Sequence, residues 1–414
     1  MGFSRIYFLV VCLVSLAGSA LAQGRLNGVV QDSVTHEPLA FASVFLANTT
    51  LGATTTEDGK FDFPRVPKGN YDVVASYVGY RLAKQNITVG TAAQSVTLRP
   101  ASSGPQLGEV VIHANPHQED DYRKFTGLFL GTTTFAKQCR ISNPDAVLVA
   151  YNDTTKELTA SAENFVQVEN EALGYRLKYF GLRFNYNTES ESVSYDGQPV
   201  FEAMTPRDDR QQQQWEANRA AAYHGSQTHF LKSVYDNRVA EEGFLAQQVR
   251  LVPVPRAARG MSLLSKKKTR LTAAEQDSLR KWQDLPLIAR LYPAARPIDS
   301  LRRISPDKDQ VFLRFTHELQ VCYFGEAPDP NYDAPMSAIG PVGATMPAKR
   351  QVSRLLLLAP ETRIRPNGSL ANPLDVVTGE YWGFQKIGDL LPLDYEPPVA
   401  TARTPLPTPP AKAN

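Results

Sequence analysis

Between residues 24 and 98, short runs of β-branched and aromatic residues recur between turn-forming residues: Leu26 to Gln31, Ala40 to Leu46, Lys60 to Phe63, Tyr71 to Tyr77, Ile87 to Val89 and Ser95 to Leu98. None of these runs can bury its apolar side alone, and their even spacing predicts an antiparallel β-sandwich. The punctuation has mechanical reasons. Asp58-Gly59 tolerates the positive φ values of a tight hairpin, and Lys68-Gly69-Asn70 turns the chain before the next strand. Phe61 and Phe63 alternate with polar residues and are expected in the core.

The order of features in this stretch is specific. Gly28-Val29-Val30-Gln31-Asp32, Thr35-His36-Glu37-Pro38-Leu39, Ala42-Ser43-Val44, Gly52, Thr56-Glu57-Asp58-Gly59-Lys60-Phe61 and Gly69-Asn70-Tyr71 through Tyr77-Val78-Gly79-Tyr80 together closely resemble the carboxypeptidase-regulatory-like domain. The resemblance implies a prealbumin-like sandwich of the kind found in Bacteroidetes-type envelope proteins, often at the N-terminus of TonB-dependent outer-membrane receptors. It also implies a spacer or interaction module with no active site of its own.

Ahead of this module, residues 1–22 have the order of a secretory signal: basic Arg5, an apolar run from Ile6 to Leu16, then small residues ending in Ala20-Leu21-Ala22. Cleavage between Ala22 and Gln23 is expected, and the protein is expected in the periplasm, associated with the outer membrane. No later run is long and apolar enough for a transmembrane helix. The formal charge of +2 is too even for bulk attraction to nucleic acid. Cys139 and Cys322 would remain after cleavage, and an oxidising compartment permits them to form a disulfide.

The module is expected to span 23–98, followed by a linker over 99–121. Within that linker, Leu107-Gly108-Glu109-Val110-Val111-Ile112 looks like the segment that leads into the plug of TonB-dependent receptors, and Val110 to His113 is expected as an edge strand. Too few residues follow for a plug and a barrel of the 22 strands typical of outer-membrane transporters. The stretch 397–414, rich in proline, is unsuited to a closing barrel strand and is expected to be disordered. A diverged plug-like protein is the weakest of the readings kept.

Residues 122–396 read as an α+β region with mainly antiparallel sheet and a helical pair. In its longest strand, Gly174 to Asn187, Tyr175, Leu177 and Tyr179 alternate with Arg176 and Lys178. Leu182, Phe184 and Tyr186 then alternate with Arg183 and Asn185. The register changes at Phe180-Gly181, which predicts a bulge or bend in a sheet with one wet face. Thr205-Pro206 and Ser226 are expected to start two helices, ended by Gly225 and Gly243, and Thr272-Ala273-Ala274-Glu275 is a capping box for a third. Segments including Phe129-Leu130-Gly131-Thr132-Thr133, Ala222-Tyr223-His224-Gly225-Ser226 and Asp389-Leu390-Leu391-Pro392-Leu393-Asp394-Tyr395 are similar to Bacteroidetes proteins of no established activity that pair the same N-terminal domain with a second region.

Catalytic motifs are missing from the sequence. None of the six histidines sits in the His-x-x-Glu pair of a zinc carboxypeptidase, and neither Gly-x-Ser-x-Gly nor a Walker-type loop occurs. No metal or cofactor is expected. The best polar constellation is Asn218, Arg219, Tyr223, His224 and His229, which could converge from the helical pair to bind an anion or carboxylate. A basic stretch, about 254–270 with Arg256, Arg259, Lys266, Lys267, Lys268 and Arg270, could touch acidic lipid headgroups or polysaccharide. The leading expectation is an exported, non-enzymatic envelope protein that binds a protein or glycan partner. The alternative is a hydrolase with a site in the α+β region.

Overall fold

A computed structural model describes residues 23–103, 118–254, 260–262, 265, 271–283, 287–306, 310–333 and 350–398. The leader 1–22, the receptor-like junction with the expected strand Val110 to His113, most of the basic stretch and the tail from residue 399 lie outside them. The chain divides into two compact units. The first takes Met1–Leu128, Cys139–Arg207 and Pro392–Tyr395; the second takes Phe129–Gln138, Asp208–Leu391 and Glu396–Asn414. Compactness therefore divides 122–396 near Arg207, where the sequence suggested one continuous region.

The first unit begins with the predicted sandwich, formed by β1 (Gln23–Val30), β2 (Ser43–Leu46), β3 (Gly52–Thr54), β4 (Lys60–Pro67), β5 (Gly69–Ser76), β6 (Ala83–Val89) and β7 (Gln94–Leu98). One sheet has the order β4-β1-β7 and the other β3-β2-β5-β6. Leu26, Val30, Val44, Leu46, Phe61, Phe63, Val73 and Val96 are buried between them. Two expectations need correction. The sandwich is not wholly antiparallel, because β1 pairs β7 in parallel. Nor does Asp58-Gly59 close a hairpin: β3 and β4 belong to different sheets, so the turn at Gly59 (φ +70°) carries the chain across the core. Residues 99–103 are no free linker either, since Arg81 N–H donates to the Ala101 carbonyl at 2.8 Å.

After helix α1 (Gln118–Leu130), which begins inside the expected linker, come β8 (Cys139–Ile141), β9 (Val147–Asn152), β10 (Glu157–Ala162), β11 (Phe165–Asn170), β12 (Tyr175–Asn187) and β13 (Ser192–Ala203). They form an antiparallel sheet in which β12 pairs β11 and β10 along one edge and β13 along the other. The register of β12 against β13 shifts between Phe180 and Arg183, and Gly181 has φ +62°. The extra residue absorbs an odd step. Leu182, Phe184 and Tyr186 stay on the face of Tyr175, Leu177 and Tyr179, where Phe125 of α1 meets Phe184 edge to face at 5.1 Å.

Ordinary alternation ahead of the bulge puts Phe180 on the opposite face. There it stacks on Phe45 of β2 with ring centroids 4.8 Å apart, in a cluster with Ala47, Val74, Phe165 and Val200. The face expected to be wet is thus partly covered by the sandwich and stays wet near Arg183 and Asp196 and near Arg176 and Glu202. Side chains alternate across a strand, so β2 serves two cores at once: Val44 and Leu46 inward, Phe45 outward. The sheet edge is tied as well, since Asn48 N–H donates to the Pro199 carbonyl and Phe201 N–H to the Thr49 carbonyl.

The second unit holds helices α2 (Asp209–Tyr223), α3 (Gln227–Tyr235) and α4 (Ala273–Gln283) with strands β14 (Phe244–Val252), β15 (Ile288–Ala295), β16 (Arg302–Ser305), β17 (Gln310–Leu313), β18 (Glu318–Tyr323), β19 (Gln351–Leu357), β20 (Thr362–Ile364) and β21 (Val376–Gly379), followed by the short helix α5 (Glu380–Phe384). Its larger sheet has the order β15-β14-β18-β19-β21. Phe230, Leu231 and Val234 of α3 pack with Phe244, Leu319, Val321 and Leu355 in the core. Asp208, and not Thr205, caps α2, because its carboxylate accepts the Gln211 N–H at 2.7 Å. Ser226 caps α3, and Thr272 with Glu275 forms the expected box on α4. Cys139 and Cys322 carry thiols and not a disulfide, and burial pushes the Cys322 thiol up.

Candidate functional site

The helical pair brings three of the five predicted residues together. Gly225 takes φ +80° between α2 and α3, and the Tyr223, His224 and His229 rings cluster around that joint with centroids 4.9 to 5.7 Å apart. Asn218 and Arg219 sit half-buried on α2, and the Asn218 side-chain carbonyl accepts from Gln214 one turn earlier at 2.8 Å.

His229 is 3% exposed, and both of its ring nitrogens are engaged. Nδ1 accepts the Gly225 N–H at 3.1 Å, which places the proton of the neutral ring on Nε2, 3.3 Å from Glu242 Oε2. A histidine whose only lone pair is held by backbone has nothing with which to abstract a proton. Phe244 and Tyr323 meet its ring edge on at 4.8 and 5.6 Å. The geometry is that of a buried fastener between the start of α3 and the sheet.

Sequence reasoning missed a second polar knot in the same unit. Helix α1 ends at Gly131 (φ +93°), and the Thr-Thr-Thr turn after it meets the segment following α5. Thr133 Oγ1 donates to Asp389 at 3.0 Å and accepts from Ala136 N–H. Asp329 takes the Thr134 and Asn331 N–H groups, each at 2.8 Å, and its own N–H donates to the Tyr381 hydroxyl at 3.1 Å. Lys137 donates to Asn331. Phe129 to Thr133 and Asp389 to Tyr395 are both segments that stand out in the sequence, but nothing in one sequence says that they touch.

Burial sets the electrostatics here. It pushes the Asp389 carboxyl up to about 7, with the Asp329 charge adding to the effect, and pushes Glu326 up to about 7 as well. Burial also raises Asp329, but hydrogen bonds from Thr134 and Asn331 outweigh it and hold that carboxyl below its ordinary value. At Asp389 the folded state keeps a proton that the unfolded chain gives up near pH 4. Stability of this unit is therefore expected to fall as pH rises from about 4 to about 7, by on the order of 1.4 kcal/mol per unit. Asp389→Asn keeps an acceptor for Thr133 and should remove Asp389's share of that fall, leaving the share of Glu326. Urea melts of both proteins at pH 5 and pH 8 check it, and an equal pH dependence in the two would refute it.

Among the described residues, no three of His, Cys, Asp and Glu are grouped to hold a metal ion. In the first unit, a shallow recess of about 560 Å3 opens beside the β9–β10 hairpin, lined by Tyr151, Asn152, Asp153, Thr155, Glu157 and Thr159. Asn152 Oδ1 accepts the Thr154 and Thr155 N–H groups and fixes the turn. Leu148 and Tyr151 remain exposed on β9.

Residues 26–112 match the profile of the CarboxypepD_reg-like domain. The N-terminal sandwich is a carboxypeptidase regulatory-like domain. No curated protein matches the chain. Among solved structures it has a likeness to a DUF3823 family protein from Bacteroides uniformis, at 10% identity over 83% of this chain and 98% of that one, with a TM-score of 0.17. The major pilin subunit BcpA of Bacillus cereus is likewise 10% identical, over 44% of this chain and 70% of that one, with a TM-score of 0.16. Superpositions that poor carry no argument about this chain. What the regulatory-like domain does here follows from its own contacts: it supplies one wall of the Phe45–Phe180 cluster, and its Asn48–Thr50 loop is held by β13 and by Leu393 and Asp394.

Proposed function

We propose that this is an exported, non-catalytic protein of the cell envelope, at the periplasmic face of the outer membrane. Its regulatory-like domain is a platform for the β8–β13 sheet, and that sheet binds a protein or glycan partner over the β9–β10 surface. One observation carries the reading: an edge strand exposes Leu148 and Tyr151 beside a recess of amide, hydroxyl and carboxylate groups. Exposed edge strands are blunted or covered in most folds, and an aromatic ring amid polar groups suits recognition. The engaged nitrogens of His229 support a structural role over a catalytic one at the helical pair. The order of basic Arg5, an apolar run and Ala20-Leu21-Ala22 supports export.

Two measurements test it. A photo-crosslinking residue placed at Tyr151 in intact cells should capture a reproducible partner that the same group at Val78, exposed on the regulatory-like domain, does not. Equal capture at both positions, or at neither, would end the binding-face reading. Terminal sequencing of the protein from envelope fractions should begin at Gln23; an intact residue 1 in the cytosolic fraction would end the export reading.

A further inference from the structure

The second unit carries a feature that the proposed binding face does not use. Strand β14 pairs with β18 only as far as Val249, opposite Glu318, but continues to pair with β15 through Arg250, Leu251 and Val252. The last three rungs form a two-stranded ribbon that outruns the sheet. Such a ribbon has no core of its own, since isolated pairs of strands bury too little to be stable alone.

Its side chains are arranged in layers. The outermost rung pairs Val252 with Ile288 and the next pairs Leu251 with Ala289. Ile288 is 41% exposed, Leu251 55% and the adjoining Leu287 54%, so apolar surface faces solvent on both faces of the tip. One rung further in, Arg250 and Arg290 stand directly opposite each other, with the Tyr292 ring 5.0 and 5.6 Å from their guanidinium carbons. Arg250 hydrogen-bonds to Gln248, and among the described residues neither arginine is in an ion pair with a carboxylate. Like charges directly opposite across a ladder are unfavourable, and the Tyr292 ring two rungs further in, within reach of both, offsets only part of the cost. An anion from outside would relieve it.

We propose that this ribbon docks on an anionic phospholipid surface. Leu251, Leu287 and Ile288 enter the headgroup region, and Arg250 and Arg290 meet the lipid phosphates. The spacing fits: at about 3.3 Å per residue the arginine rung lies roughly 7 Å behind the tip rung, comparable with the 5–10 Å to which interfacial elements bury their apolar side. Charge complementarity extends into the sequence, because residues 254–270, which continue from β14, contain six Lys and Arg and no Asp or Glu.

The test is co-sedimentation of the full chain with vesicles. Binding is expected to vesicles of phosphatidylcholine with phosphatidylglycerol and to be much weaker to phosphatidylcholine alone. Arg250→Gln with Arg290→Gln should weaken binding to the anionic vesicles about 30-fold, at about 5-fold per basic group. Arg250→Lys with Arg290→Lys should retain most of it, because the surface reads charge. Leu251→Ser with Ile288→Ser should make the remaining binding vanish in high salt. Tryptophan fluorescence and circular dichroism unchanged from the parent exclude misfolding in each variant. Equal binding to both vesicle types, or Gln variants that bind as the parent does, would overturn the proposal. So would release by millimolar inorganic phosphate at constant ionic strength, which would assign the arginines to a free anion.

Discussion

Phe180→Ala is expected to destabilise the first unit by about 3–5 kcal/mol, the range for removing a buried phenyl ring that cannot be replaced by collapse around the cavity. Phe180 is 3% exposed and lies between Phe45 at 4.8 Å and Phe165 at 5.1 Å, with Leu82 and Val74 in the same cluster. The ring is the main apolar contact by which the β8–β13 sheet covers the outer face of the regulatory-like domain. Phe180→Leu keeps most of the volume and should cost less than about 1.5 kcal/mol. Urea denaturation followed by far-ultraviolet circular dichroism reads the difference. Alanine and leucine variants of equal stability would mean that the two sheets are not held together here.

Gly225→Ala should cost the second unit about 3 kcal/mol or more, from two additive sources. A left-handed φ of +80° is unfavourable for any residue with a Cβ, by roughly 1–2 kcal/mol. That Cβ would also lie 2.0 Å from Gln351 Oε1 and 2.6 Å from the Tyr323 ring. Moving the backbone to relieve the clash would disturb the N–H bond to His229 and the bond from Trp382 Nε1 to the Gly225 carbonyl at 2.8 Å. All three tryptophans, Trp215, Trp282 and Trp382, lie in this unit, so intrinsic fluorescence reports its unfolding directly. A midpoint shift equivalent to less than about 0.5 kcal/mol, the scatter of ordinary surface substitutions, would show that the joint tolerates a side chain.

Both predictions rest on residues that the sequence marked without explaining. Gly225 was legible as a helix stop, because glycine between a helical run and a capping serine has few other roles. That its carbonyl receives Trp382, more than a hundred residues later, was not legible. The odd step at Phe180-Gly181 was legible as a bulge. Its consequence was hidden: the alternation of β12 describes which side chains share a face, and says nothing about what covers that face.

The candidate site follows the same division. Tyr223, His224 and His229 fall close enough along the chain for one helical joint to gather them, so local spacing found them. Their chemistry depended on partners from elsewhere, and Glu242 together with the Gly225 N–H turns His229 from a possible base into a fastener. The Thr133–Asp389 bond spans most of the chain, and no period or motif links its ends.

What the sequence determined by itself is therefore whatever nearest neighbours control: strand and helix identity, caps, turns, and the regulatory-like domain whose features lie in one continuous stretch. Tertiary structure alone decided which apolar faces meet, where the chain divides into compact units and which polar groups are spent in holding the fold. The physical reason is that backbone preferences act over a few residues. Burial and hydrogen-bond satisfaction are settled only when distant segments compete for the same partners.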